Sequence, residues 1–189
     1  MSIFHKFSKT TLKKIFIAGL LEFGPILIFL ASFHYLHVYK ATFILMIVTI
    51  ISTVVTYRVQ KRLPYLALYV AFLTLVFGYM TILHRQPKFI QMRDTLYDTT
   101  SALTLLIGLM INVSFLKLAF HEVLPMTTRA WNKITYMWVG FFILLAISNE
   151  YVRRTMTLAE WFDFKSVMVF ATIIFGLIAL YIAYEKVEH

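Results

Sequence analysis

FKSVMVFATIIFGLIALYIAY, residues 164–184, carries one charged side chain, Lys165, and is long enough to cross a lipid bilayer. A spanning helix needs about 20 mostly apolar residues to cover a hydrocarbon core about 30 Å thick, and within lipid a helix satisfies its own backbone hydrogen bonds. Five further runs of this kind precede it: Phe16–Val38, Ala41–Tyr57, Pro64–Leu83, Leu96–Leu116 and Ile134–Ile147, the last with a polar extension to Val152. The fold class that follows is all-α, a polytopic transmembrane bundle of five to six membrane helices. The count stays open at the first pair of runs. Only Tyr39 and Lys40 separate them, and Pro25 removes a helical hydrogen bond from the first, so the pair reads either as two spans or as a shallow hairpin.

The rest of the chain agrees with that reading. Of its 189 residues 60% are hydrophobic and 14% charged, with a mean hydropathy of +0.78, against roughly 45–50% apolar and about 25% charged in an average soluble domain. No Ser/Gly/Pro-rich linker divides it, which predicts one integral membrane domain over residues 1–189. The basic start (Lys6, Lys9, Lys13, Lys14) leads into an apolar run with no small-x-small cleavage site, so the first segment is expected to be retained. The net charge of +9 comes from short clusters between apolar runs, a pattern suited to lipid headgroups and not to nucleic acid. The absence of cysteine excludes disulfides, thiolate metal sites, iron–sulfur clusters and thiol nucleophiles. No internal repeat of the kind found in alternating-access transporters is discernible.

With six spans both termini share one side. That side holds eleven Lys and Arg residues, and the opposite side holds seven: Lys40, Arg85, Lys88, Arg93, Arg153, Arg154 and Lys165. The excess places both termini in the cytoplasm. Tyr57, Trp131 and Trp161, near predicted helix ends, are expected to anchor in the headgroup zone.

Several polar residues interrupt the apolar pattern. Thr100, Thr104, Gly108 and Asn112 recur every fourth residue and predict a packing stripe on the fourth helix, with a polar transport path through Asn112 as the alternative. Glu22 reads either as a buried functional carboxylate or, if the helix begins near Pro25, as an interfacial charge beside a helix N-terminus. Asp94 and Asp98, with Arg93 beside them, fit helix-start electrostatics. Asn149, Glu150, Arg153 and Arg154 form a polar cluster read as a solvated helix extension, with Glu150 and Arg154 in the favourable i, i+4 order. His34 and His37 lack a third local ligand, so no metal is expected there. Nothing matches a phosphate-binding Gly loop, a zinc helix or a nucleophile elbow. No cofactor is called for, and the chain is not expected to be an enzyme. The sole local set of acid, base and phosphate-binding types is Asp94, Asp98, His84 and Arg93.

Read in order, the polar landmarks resemble the intracellular septation protein A family across nearly the whole chain. They are Glu22-Phe23-Gly24-Pro25; Phe77-Gly78 with Thr81 before Phe89-Ile90; Arg93 with Thr95; Trp131-Asn132-Lys133 followed by Trp138 and Phe141-Phe142; Asn149-Glu150-Tyr151-Val152; and Trp161 leading to Phe164-Lys165. Two departures stand out: the loop before Phe89 reads Arg85-Gln86-Pro87-Lys88 where the family is often acidic, and Asp94 replaces a proline common between the basic residue and the threonine. The resemblance implies a multi-pass protein of the bacterial inner membrane that supports envelope biogenesis, membrane homeostasis and septation. It implies partners among membrane lipids and the membrane proteins of cell division and elongation, with self-association of the chain as a further expectation. Glu22, Arg93, Thr95, Asn112, Asn149, Glu150 and Lys165 are the candidate functional residues. The competing class is a small transporter or lipid-handling protein, which requires Glu22, Asn112 and Asn149 to converge on one cavity.

Overall fold

A computed structural model describes residues 9–61, 63–120, 124 and 126–183. The apolar runs are helices: α1 (Lys9–Tyr35), α2 (Val38–Gln60), α3 (Tyr65–His84), α4 (Lys88–Met110), a short α5 (Phe115–Phe120), α6 (Thr128–Thr155) and α7 (Leu158–Ala183). Short connections force successive long helices to run antiparallel. The six long helices close into a ring in the order α1, α2, α3, α4, α6, α7 and back to α1, with α5 packed on α4 and α6. The turns α1–α2, α3–α4 and α6–α7 lie at one end, called here the turn end; the α2–α3 connection, α5 and the outer ends of α1 and α7 lie at the other.

Among the described residues four helices are long and apolar enough to cross a membrane: α2 over Val38–Val59, then α3, α6 and α7. The apolar part of α1, Phe23–Tyr35, is shorter, about 20 Å at 1.5 Å per residue. Helix α4 has the length, but its first half holds Lys88, Arg93, Asp94 and Asp98. It enters the ring because Arg93 and Asp94 find partners there. The perimeter is apolar, with Phe43, Ile51, Phe72, Phe170 and Ile174 among its exposed side chains, as lipid contact demands.

Local signals set the helix ends. Helix α6 is capped by Thr127, whose side chain accepts from the Ala130 amide at 3.2 Å. Thr157 and Glu160 form a reciprocal box at the start of α7: Glu160 Oε2 accepts from the Thr157 amide at 2.7 Å, and Thr157 Oγ1 accepts from the Glu160 amide at 3.4 Å. Lys61 and Arg85 close α2 and α3 in the left-handed conformation, φ 52° and 50°. Pro25 does not begin α1, which starts at Lys9 and runs through it.

Two apolar cores fill the ends of the ring. At the turn end Phe29, Val38, Ala41, Leu45, Ile90, Val152, Trp161 and Phe162 pack together; at the other end Met126, Ala130, Trp131, Ile134 and Ala183 do. Trp131 and Trp161 are therefore 2% and 0% exposed, not headgroup anchors as their positions in the sequence suggest. Burial of the large indoles brings more contact than the interface does. Tyr57 remains at the surface.

Close packing makes the glycines unequal. A Cβ on Gly108 would meet the Val113 carbonyl oxygen and the Phe115 ring at 2.6 Å, whereas one on Gly140 meets nothing within 4 Å. Gly108→Ala is expected to destabilise by about 1–3 kcal/mol through overpacking against backbone. Gly140→Ala is expected to stabilise α6 by about 0.5–1 kcal/mol. Melting temperatures of the two variants in detergent should move in opposite directions.

Candidate functional site

The polar residues of α4 are not at its start. The helix begins at Lys88, so Arg93 and Asp94 fall in its second turn and Asp98 in its third; reading from hydropathy set the boundary eight residues late because it discards these polar turns. Asp94 and Asp98 are 4% and 5% exposed and lie beyond the first turn, so helix-start electrostatics does not describe them. Asp94 Oδ1 accepts from Arg93 Nε at 2.8 Å, and Asp94 Oδ2 pairs with Lys165 Nζ of α7 at 2.7 Å. Arg93 Nη1 also donates to Thr74 Oγ1 of α3 at 3.3 Å. One carboxylate thus ties α4 to α7, and through Arg93 to α3. Removed from water, such charges are tolerable only when paired and hydrogen-bonded in this way.

Next to this ion cluster, Asn149 joins three helices. It is 1% exposed. Its Nδ2 donates to the Gln91 carbonyl at 3.0 Å and to Thr95 Oγ1 at 2.8 Å, while its Oδ1 accepts from Trp161 Nε1 at 2.9 Å. An amide offers both donors and an acceptor, and here α4 takes the donors while α7 supplies the indole. Asn149 is therefore no part of a solvated extension.

Glu150 stands at the rim. Its carboxylate accepts from Arg153 Nε at 2.9 Å and from Arg154 Nε at 2.5 Å, and it receives Thr95 Oγ1 at 3.4 Å. Glu150 and Arg153 are partly buried, while Arg154 is largely exposed. Thr95 thereby links the buried amide to the rim carboxylate. A shallow groove of about 370 Å³ between α4 and α6 passes over Thr95, Thr99, Ala146, Glu150 and Arg154.

The predicted stripe does not hold together. A spacing of four residues drifts about 40° per step on a helix of 3.6 residues per turn, about 120° from Thr100 to Asn112. Thr104 is exposed, and Thr100 bonds to the Tyr69 hydroxyl of α3 and to the Leu96 carbonyl. The buried seam is instead Gln91, Asp94, Asp98, Ala102, Leu105 and Gly108, whose shift from steps of four to steps of three cancels the drift. Asn112 lies past the end of α4 with φ 59° and is exposed; it serves a left-handed turn, which asparagine tolerates. It sits about 30 Å along α4 from Gln91, where Asn149 docks. Asn112 and Asn149 therefore do not converge, which removes the geometry the transporter reading requires. Glu22 lies within α1, and its side chain is outside the described residues. His84 is exposed, its ring 5.5 Å from Phe89, and does not join Asp94 and Asp98.

Arg93, Thr95, Asn149, Glu150 and Lys165, singled out in the sequence, do come together at the turn end. Missed by the sequence were Thr74 and Gln91, which answer them from α3 and α4; Trp161, expected at the headgroups, answers from α7 instead. The signal available for Trp161 was its place one turn before Lys165. Among the described residues no group of three His, Asp or Glu side chains is placed to hold a metal. What this arrangement does chemically is fasten α3, α4, α6 and α7 by polar contacts where apolar packing alone discriminates poorly between helix faces.

The family model of intracellular septation protein A matches residues 17–189. The inner membrane-spanning protein YciB of Afipia carboxidovorans is 34% identical over 145 residues, covering 77% of this chain and 72% of that protein. The protein of the same name from Shewanella frigidimarina is 30% identical over 161 residues, 85% of this chain and 84% of its own length. That of Nitrobacter hamburgensis is 31% identical over 144 residues, 76% and 72%. No solved structure matches. Six long helices, apolar on their outer faces and joined through the Arg93–Thr95, Asn149–Glu150 and Trp161–Lys165 landmarks, thus coincide with a match over nearly the full length: the chain belongs to the intracellular septation protein A family of inner-membrane proteins.

Proposed function

We propose that this protein is a non-catalytic scaffold of the bacterial inner membrane that supports envelope biogenesis, envelope integrity and septation through contacts with division and elongation proteins. The observation that carries this reading is the internal use of its polar groups. Asn149, Thr95, Arg93, Asp94 and Lys165 bond to one another across helices, which leaves an apolar outer face for lipids and membrane partners. The family's printed name, a septation protein, supports the same direction.

Both termini lie in the cytoplasm in this reading. Of the seven basic residues at the turn end, Arg93, Lys165, Arg153 and Arg154 are paired with Asp94 or Glu150. Lys40, Arg85 and Lys88 remain there to meet headgroups, against Arg58, Lys61, Arg129 and Lys133 at the other end. The positive-inside rule then favours the latter as cytoplasmic.

Cells carrying variants in place of the parent test the proposal, with membrane abundance quantified alongside survival of osmotic shock. Asn112→Gly keeps the left-handed turn and is expected to protect the envelope like the parent. Asn149→Ala is expected to lose protection in proportion to its loss from the membrane. Photo-crosslinking from exposed positions such as Phe72 and Phe170 should capture division or elongation proteins. Failure to capture any of them, or loss of protection by Asn149→Ala at full abundance, would count against the scaffold.

A further inference from the structure

Asp98 lies one turn beyond Asp94 on the buried seam of α4, about 15 Å from the first residue of the helix and close to its midpoint. It is 5% exposed. Among the described residues no group donates a hydrogen bond to its carboxyl, and no cation reaches ion-pairing distance. The charges that act on it are Lys165 from α7 and Asp94 and Arg93 from its own helix. Both cations are committed elsewhere: Lys165 to Asp94 at 2.7 Å, and Arg93 to Asp94 and Thr74. From α3 come Thr74, which serves Arg93, and Tyr69, which serves Thr100. From α6 come Asn149, saturated by Gln91, Thr95 and Trp161, and Glu150, held by Arg153 and Arg154.

A carboxyl group buried at bilayer depth without a donor is more stable as the neutral acid than as the anion. The ionised form has one accessible partner. Side chains at i and i+4 on a helix sit about 5–6 Å apart at Cβ, a displacement that the flexible four-carbon stem of Lys165 covers by changing rotamer. Asp94 would then keep Arg93.

We propose that Asp98 is a proton-binding site inside the helix bundle, occupied while Lys165 pairs with Asp94 and emptied when Lys165 turns to Asp98. The O–H bond of the acid breaks, the proton leaves to solvent, and its electron pair stays on the Asp98 carboxylate; Lys165 remains an ammonium throughout. The α4–α7 contact consequently has two registers that differ by one proton. This inference is independent of the scaffold reading and would hold for any function carried by the bundle.

Infrared spectroscopy of the full chain in lipid nanodiscs reads the site directly, because a protonated carboxylic acid has a C=O stretch that a carboxylate lacks. The parent at neutral pH is expected to show such a band, sensitive to deuterium exchange, and Asp98→Asn is expected to abolish it. Asp94→Asn releases Lys165, and the band should vanish there too although Asp98 is intact. Lys165→Met, which removes the ammonium, should hold the band to higher pH than the parent and keeps the test open if Asp94→Asn fails to fold. The proposal is overturned by a parent without the band, by a band that survives Asp98→Asn, or by Asp94→Asn or Lys165→Met folding with the band unchanged.

Discussion

Asn149→Leu is expected to destabilise the bundle by about 3 kcal/mol, the largest effect of any uncharged substitution at the turn end. Leucine keeps the branching of the asparagine side chain but can neither donate nor accept. Three hydrogen bonds disappear, to the Gln91 carbonyl, Thr95 and Trp161. Between membrane helices such bonds average only about 0.6 kcal/mol each, so their sum alone gives about 2 kcal/mol. The decisive addition is the Trp161 indole N–H, which has no other partner among the described residues and sits in a side chain that is 0% exposed; an orphaned buried donor costs about 1–3 kcal/mol. The Gln91 carbonyl and Thr95 suffer less, since the first belongs to a helix and the second retains Glu150. Unfolding followed by tryptophan fluorescence in mixed micelles should show the loss.

Asp94→Leu is expected to cost about 3 kcal/mol, near the lower edge of the roughly 3–5 kcal/mol typical when one member of a buried ion pair is removed. Two cations, Arg93 and Lys165, lose their shared anion at once. The value stays at the lower edge because Asp98, one turn away, can receive Lys165. Lys165→Met should be milder, since Asp94 retains Arg93. Equilibrium unfolding of both variants checks the order, and a larger loss for Lys165→Met than for Asp94→Leu would contradict this assignment of roles.

Hydropathy was enough to locate the long helices because each must present continuous apolar surface to lipid, whatever its neighbours are. It failed at α4 for the same reason. The first half of that helix is polar and is stabilised by Thr74, Asn149, Glu150 and Lys165, residues far away in the sequence, so no local window reveals that it is helical or buried. Asn149 and Lys165 stood out in the sequence as landmarks of the family resemblance, not as buried groups. Which residues they pair with was not legible, because pairing depends on how the ring of helices closes. The stripe from Thr100 to Asn112 failed on helix geometry: constant steps of four rotate away from any one neighbour, and the chain leaves the helix at Met110. Trp131 and Trp161 show a related limit. Position near a helix end identifies a tryptophan that can reach the interface, but not one that a neighbouring helix will cover.

The central claim is that the polar groups at the turn end fasten the helices and do not line an aqueous path. The natural chain contains no cysteine, so single-cysteine labelling has no background. Ala102→Cys and Val152→Cys place a thiol on the buried faces of α4 and α6, and Lys88→Cys supplies an exposed control at the turn end. A membrane-impermeant charged thiol reagent, applied to folded protein in sealed and in opened vesicles, is predicted to modify Lys88→Cys from one side only and to leave Ala102→Cys and Val152→Cys unmodified from both. Rapid modification of either buried position, with the protein still folded, would reveal water inside the ring and contradict the claim.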